Sequence, residues 1–311
     1  MPTTPTAASA DPAHHDTAAS ESKARIALIG LLIGALGIAL SPIFVRLSEI
    51  GPVATAFWRI GFAMPVVFAW MVLESRSANP PRRPSTRRDY LRLIWAGLFF
   101  AGDLAVWHWS IQFTSVANST LLANFAPILV TLVAWAVFKE RFSRTFIGGL
   151  ALAIGGAVVL MGESMNLSAS HLFGDALGIV TAMFYAGYIL SVGRLRAEFS
   201  TATIMTWTGL VSGLTLLPLA LLSGESLAPP TLYGWAVLAA LGVISHAGGQ
   251  SLIAYALAHL PPAFSSVSLL LQPAAAAVFA WILLSEPLSF LQAAGAVIVL
   301  AGIFLARRGS R

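Results

Sequence analysis

The chain has 311 residues, of which 57% are hydrophobic and only 10% charged, and its mean hydropathy is +0.81. So little polar surface cannot cover a soluble globule of this size, and an integral membrane protein is expected. The net charge of +5 would suit a nucleic-acid binder in a soluble protein, but here the charges fill short gaps between apolar runs, so no nucleic-acid partner is implied; the lack of Cys excludes disulfides and thiolate metal sites.

Residues 1–24 are rich in Ala, Thr, Ser and Pro and hold no apolar run, which predicts a disordered cytoplasmic tail. A helix needs about 20 apolar residues to cross the hydrocarbon core. By that ruler the remainder divides into ten segments, at 26–45, 53–73, 90–112, 115–138, 144–162, 172–192, 200–222, 231–257, 262–284 and 288–306. The fold class expected is all-α, with ten transmembrane helices. If the N-terminus is cytoplasmic, sixteen of the eighteen Lys and Arg residues fall on the cytoplasmic side, the exceptions being Arg46 and Arg59. The positive-inside rule then places both termini in the cytoplasm, and the location expected is the cell inner (plasma) membrane.

Residues 247–308 repeat residues 101–162 without a gap. A shift of 146 positions lays Gly102 on Gly248, Pro127 on Pro273, Trp135 on Trp281, Glu140 on Glu286, Ser143 on Ser289, Gly149 on Gly295 and Gly156 on Gly302. A self-similar unit of this length implies two structural halves. Five helices per half is an odd number, so the second copy enters the membrane upside down. Lys139-Glu140-Arg141 accordingly becomes Ser285-Glu286-Pro287, which carries no positive charge. Inverted repeats characterise secondary transporters, whose two states open to opposite sides.

The stretch from Phe113 to Ser119, then Asn124-Phe125-Ala126-Pro127, and Trp135 through Phe138-Lys139-Glu140-Arg141-Phe142-Ser143, resembles the EamA repeat of the drug/metabolite transporter superfamily. Pro262-Ala263, Gln272-Pro273 and Ser285-Glu286-Pro287-Leu288-Ser289 are similar in the second half, and Phe57-Trp58-Arg59 resembles the family's Arg-bearing second helix. The resemblance implies two EamA repeats, at 25–162 and 172–308, and transport of a small metabolite, commonly export, without ATP. It does not name a substrate, because the superfamily spans amino acids, nucleotide sugars, sugar phosphates and drugs.

An ionisable group at mid-membrane is costly unless paired or hydrated, so each is a functional candidate. Asp103 falls roughly 20 Å into helix 3 at about 1.5 Å of rise per residue, with Trp107 and Ser110 following on its face. It reads either as a cavity carboxylate that binds a cationic group or a coupling proton, or as a packing Asp bonded to its neighbours. His108, His246 and Gln250 are brought together if the row Phe100-Leu104-His108 and its repeat image His246-Gln250-Ala254 both line a cavity; the alternative is His bonded within the core. Pro127 and Pro273 each remove a backbone donor near the middles of helices 4 and 9. Asn124 and Gln272 stand beside them, and such breaks in both repeats point to a binding site or to packing kinks. Arg59 reads as a carboxylate clamp or as a structural cation capping helix ends or paired with Glu49. Asp175 reads as an N-cap of helix 6. Tyr185, Tyr188, Trp58, Trp107 and Tyr255 are candidate cavity walls. The paired glycines of helices 5 and 10 are expected to admit another helix, from this chain or another subunit.

The site is therefore expected between the halves, on helices 3, 4, 8 and 9 with contributions from 1, 2, 6 and 7, and with helices 5 and 10 peripheral. An aromatic-rich lining with His and amides favours an amino-acid-like or aromatic metabolite over a sugar phosphate. An enzyme is not expected, as there is no His-Glu-x-x-His pair, no Cys and no phosphate-binding loop, and a non-transporting scaffold would not need inverted repeats. No cofactor or metal is implied. The partners are the small-molecule substrate, the lipid bilayer and, where transport is coupled, protons; the oligomeric state is left open.

Overall fold

The computed structural model describes residues 12–114, 116–162 and 171–310. No strand forms among them, and ten helices are long and apolar enough to cross a membrane. These are α1 (Ser22–Leu47), α2 (Pro52–Ser75), α3 (Arg87–Ser110), α4 (Asn118–Ala136), α5 (Arg144–Met161), α6 (Leu172–Leu195), α7 (Thr201–Leu222), α8 (Leu232–Ala256), α9 (Pro262–Leu284) and α10 (Phe290–Gly309). The first helix begins earlier than the unstructured tail allowed, at Pro12. Proline is tolerated in a first turn, and the Ala-rich stretch after it holds no further Pro or Gly, so the membrane-anchored helix extends outward without a new nucleation step. Residues 1–11 lie outside the described set.

Helix starts follow local chemistry. Thr86 and Asp89 form a capping box at α3, and Ser289 and Gln292 another at α10. Ser143 Oγ accepts from Phe146 N at 3.0 Å and Ser289 Oγ from Gln292 N at 3.1 Å, so one of the repeat's matched pairs is a matched N-cap. The matched Trp135 and Trp281 are both exposed, at opposite ends of the bundle, where indole rings anchor to the two membrane interfaces.

The glycine stripes of α5 and α10 pack against each other within the chain. A Cβ on Gly149 would lie 2.3 Å from Ala306 N, and one on Gly295 would lie 2.4 Å from Leu160 N. Likewise Gly156 meets Val299 N at 2.6 Å and Gly302 meets Ala153 N at 2.4 Å. Each contact is the 146-shifted image of the other in its pair, and as position rises along α5 it falls along α10. The two helices are thus antiparallel and related by a pseudo-two-fold, which is the geometry of inverted repeats. The remaining packing obeys the same exchange: α3 lies on α6 as α8 lies on α1, α4 on α6 as α9 on α1, and α2 lies beside α7.

Four helices depart from regular geometry. α1 breaks at Leu40, ahead of Pro42. α4 is interrupted between Ala123 and Ala126, and α9 between Ser268 and Leu271, so the matched prolines divide their helices rather than bending them. In α8, Leu241–Gln250 is π-helical. That stretch meets α1 closely: a Cβ on Gly34 would come within 2.7 Å of Gly249 O, and Ser245 Oγ donates to Gly37 O at 2.8 Å.

Carboxylates tie the halves together at both ends. At the Arg-rich end, Arg82 donates to both oxygens of Asp89, at 3.0 and 2.9 Å, and also binds Glu198 beside α7, which Arg92 reaches at 2.7 Å. At the far end Glu49 accepts from Thr231 N and Oγ1 at 3.2 and 2.6 Å, while Glu225 accepts from Ala54 N at 2.8 Å. Each of these two carboxylates serves the first turn of a helix in the other repeat, where the dipole favours it. Hydrogen bonds from Arg92 and Arg82 hold the Glu198 carboxyl below the usual carboxylate range. A depressed folded-state value gives stabilisation that is complete above the ordinary Glu value and lost as pH falls through the lowered one. The Arg-rich clasp is therefore expected to stay closed at neutral and mildly acidic pH. Thermal melts at descending pH check this: a melting temperature that already drops between pH 7 and 5 in wild type, but not in Glu198→Gln, contradicts it.

Candidate functional site

A cavity of about 400 Å³ lies between the repeats, in the half of the bundle away from the Arg-rich loops. Its wall follows from the helix breaks. α1 contributes Ser41, Pro42 and Val45 past its break, α4 contributes Thr120 before its own break and Asn124 within it, and α9 contributes Gln272 and Pro273 just after. α2 adds Thr55 and Arg59, α3 Phe100, Asp103, Leu104, Trp107 and His108, α6 Thr181 and Tyr185, and α8 Leu241 and Gln250.

Arg59 and Asp103 face this space from neighbouring helices and act on one another electrostatically, without the 4.0 Å contact of a closed ion pair. Around them the buried Arg59 Nε, Asn124 Nδ2, Gln250 Nε2 and Gln272 Nε2 have no hydrogen-bond partner. His108 Nδ1 sits 2.5 Å from Leu104 O. A carbonyl can only accept, so Nδ1 carries the proton, and in the neutral ring Nε2, also unpartnered, is an acceptor. Unsatisfied buried groups each cost about 1–3 kcal/mol, so this cluster points to an occupant or to ordered water. The wall offers donors in one set and acceptors (Asp103, His108 Nε2) in the other, with Trp107, Phe100 and Tyr185 as apolar surface.

Of the residues expected here, Arg59, Asp103, Trp107, His108, Asn124, Tyr185, Gln250 and Gln272 line the cavity. His246 does not: it is buried behind Phe100, with ring centroids 5.2 Å apart. Several expected pairings also differ. Arg59 does not pair with Glu49, which is taken by Thr231. Ser110 turns from the face of Asp103 and donates to Gly174 O at 2.7 Å. Asp175 is not the N-cap of α6, a position held by His171; from the first turn it accepts from Thr114 Oγ1 at 2.6 Å and Asn118 Nδ2 at 3.2 Å, joining α3 and α4 to α6.

Three of the expected aromatic walls lie elsewhere. Trp58 donates to Leu227 O at 2.6 Å and packs on Trp235. Tyr188 is in the core beside Phe100, and Tyr255 packs on His259. No residue of α7 reaches the cavity, whereas Leu160 and Met161 at the end of α5 do, so that helix is not wholly peripheral. What sequence reading missed was chiefly Ser41 and Pro42, although Pro42 interrupts an apolar run just as Pro127 and Pro273 do.

The model of the EamA-like transporter family matches residues 25–162 and 172–308. Threonine/homoserine exporter RhtA of Escherichia coli is 30% identical over 236 residues, covering 75% of both chains. An uncharacterized transporter of Archaeoglobus fulgidus is 26% identical over 270 residues, 85% of this chain and 91% of that one. Pseudopaline exporter CntI of Pseudomonas aeruginosa is 26% identical over 223 residues, 71% and 77% of the two chains. A solved crystal structure superimposes with a TM-score of 0.77 at 17% identity, over 94% of this chain and 99% of its own, and supports the fold.

Proposed function

Because the chain belongs to the EamA-like transporter family, we propose that it is a secondary exporter of a zwitterionic, amino-acid-like metabolite, working by alternating access from a plasma membrane with both termini in the cytoplasm. The observation that carries the substrate class is the shared cavity of Arg59 and Asp103, opposite charges left open toward one space rather than closed on each other. A guanidinium takes a carboxylate bidentately, with the amide N–H groups of Asn124, Gln250 and Gln272 as further donors. Asp103 and His108 Nε2 accept from an ammonium or hydroxyl, and Trp107, Phe100 and Tyr185 surround the side chain. Nucleotide sugars and sugar phosphates are the weaker reading, since Arg59 is the one cation among the lining residues. The relatives named as exporters of threonine/homoserine and of pseudopaline support the direction and the class. With the Arg-rich loops cytoplasmic, the cavity lies in the outer half of the membrane, where an exporter releases its load.

Counterflow of labelled amino acids into liposomes holding the purified protein tests this. Uptake is expected to be competed by free amino acids, and not by the corresponding amines or by carboxylic acids lacking the amino group. Equal competition by a simple amine would remove the role of Arg59, and absence of flux across a broad amino-acid panel would remove the substrate class. Asp103 is the group through which a proton is coupled: Asp103→Asn is expected to lose gradient-driven accumulation while retaining counterflow at a raised KM, because the amide oxygen still accepts from the ammonium but carries no charge. Accumulation at the wild-type level in that variant rejects the coupling.

A further inference from the structure

Phe100 and His246 are equivalent positions of the two repeats, related by the 146-residue shift, and their rings touch, with centroids 5.2 Å apart and planes at 40°. A residue can meet its own repeat image only on the axis that relates the repeats. Both lie near the middles of their helices, α3 and α8, so the pair marks the centre of the membrane and of the pseudo-two-fold. Tyr188 also packs on Phe100, with ring centroids 4.8 Å apart.

The two sides of this pair differ. Phe100, Leu104 and His108 all line the cavity, whereas of their images His246, Gln250 and Ala254 only Gln250 does. His246 and Ala254 are sealed in the core. On the Arg-rich side of Phe100 the packing leaves both nitrogens of His246, Ser251 Oγ and Ser265 Oγ buried without partners. Buried polar groups without partners each cost about 1–3 kcal/mol, a cost that exposure to solvent in a second conformation would remove.

We infer that the axial Phe100–His246 pair is the partition between two alternating half-cavities, and that His246 and Ala254 line the half-cavity open to the Arg-rich side, as Phe100 and His108 line the one seen here. The inference rests on the alternating-access reading and goes beyond it in naming the dividing residues and the second lining. It also gives the two states different chemistry, because Asp103 maps to Gly249 and Asn124 to Leu270. In the second state the image of the acceptor carboxylate is a bare backbone position, and His246 is the polar group at the apex.

The chain contains no Cys, so single-Cys variants need no altered background. Membrane-impermeant maleimide is applied from either side of proteoliposomes to His246→Cys, Ala254→Cys and the cavity variant Ala123→Cys, with the exposed loop variants Ser77→Cys and Ser226→Cys reporting the Arg-rich and the far side. A minor conformer holds about 0.1–10% of the population, so the thiols of His246→Cys and Ala254→Cys are expected to react at least about tenfold faster from the Ser77 side than from the Ser226 side, with the reverse for Ala123→Cys. Ala254→Cys is the mild change that decides the matter if His246→Cys folds poorly. Labelling of Ala254→Cys from the Ser226 side as fast as that of Ala123→Cys, or no labelling from the Ser77 side in a variant that still carries solute, overturns the inference. Labelling needs no knowledge of the solute, whereas flux tests the transporter reading separately. Side-specific labelling without amino-acid flux would keep the partition and reject the substrate class.

Discussion

Arg59→Met is expected to lower the kcat/KM of amino-acid counterflow at least about 100-fold, because it removes the partner of the solute carboxylate, and it also leaves Asp103 without its nearby compensating charge; truncating one member of a buried, hydrogen-bonded charge pair costs about 2–5 kcal/mol in binding, and about 1.4 kcal/mol is a factor of ten. The two consequences separate in a double variant. Arg59→Met with Asp103→Leu removes both charges, so its thermal stability in detergent is expected to return to or above that of wild type while flux stays lost. Arg59→Lys keeps the charge without the fork and is expected to bind with a raised KM. Flux near the wild-type level in Arg59→Met would end the clamp role, and a double variant no more stable than Arg59→Met would show that the two charges do not compensate one another.

The fold was legible because its determinants are coarse and repeated. Ten apolar runs, an asymmetric set of Lys and Arg residues, and a gapless 146-residue shift each survive an error of a few residues in any boundary. The matched residues proved to hold matched jobs: Ser143 and Ser289 cap α5 and α10, and Gly149, Gly156, Gly295 and Gly302 seat those helices on each other. Residues 12–24 went astray for a physical reason. Composition reports whether a segment can bury a core, and it does not report whether a helix already nucleated in the membrane runs on past the interface.

Site residues were legible where charge or an amide in an apolar run marked them, as with Asp103, Arg59, Asn124 and Gln272. What periodicity could not supply was the conformational state. The rows containing Phe100 and His246 are equivalent in sequence, yet the structure opens one side of the axis and closes the other, so His246 stands outside a cavity that its image lines. Side-chain reach was likewise invisible. Glu49 and Glu225 lie near Arg59 and α2 in simple topology, but each is drawn to the first turn of a helix in the opposite repeat.

Gly302→Leu is expected to yield no stably folded protein, and its image Gly156→Leu the same, because backbone meets backbone at both. A Cβ at Gly302 would lie 2.4 Å from Ala153 N and 2.6 Å from Ala153 Cα, and one at Gly156 would lie 2.6 Å from Val299 N. No rotamer relieves such a contact, so α5 and α10 would have to separate along the stripe that joins the repeats. Even Gly156→Ala is expected to lose about 1–3 kcal/mol, as overpacking does. The neighbouring Gly155 has open space where a Cβ would be built, so Gly155→Ala is expected to gain about 0.5–1 kcal/mol from helix propensity. One substitution at adjacent residues of one helix therefore carries opposite signs. Thermal unfolding in detergent micelles measures both, and equal shifts for Gly155→Ala and Gly156→Ala would mean that the α5–α10 seam does not form. If the seam is also symmetric, the losses at Gly156→Ala and Gly302→Ala agree, since each methyl group strikes the image of the other's target.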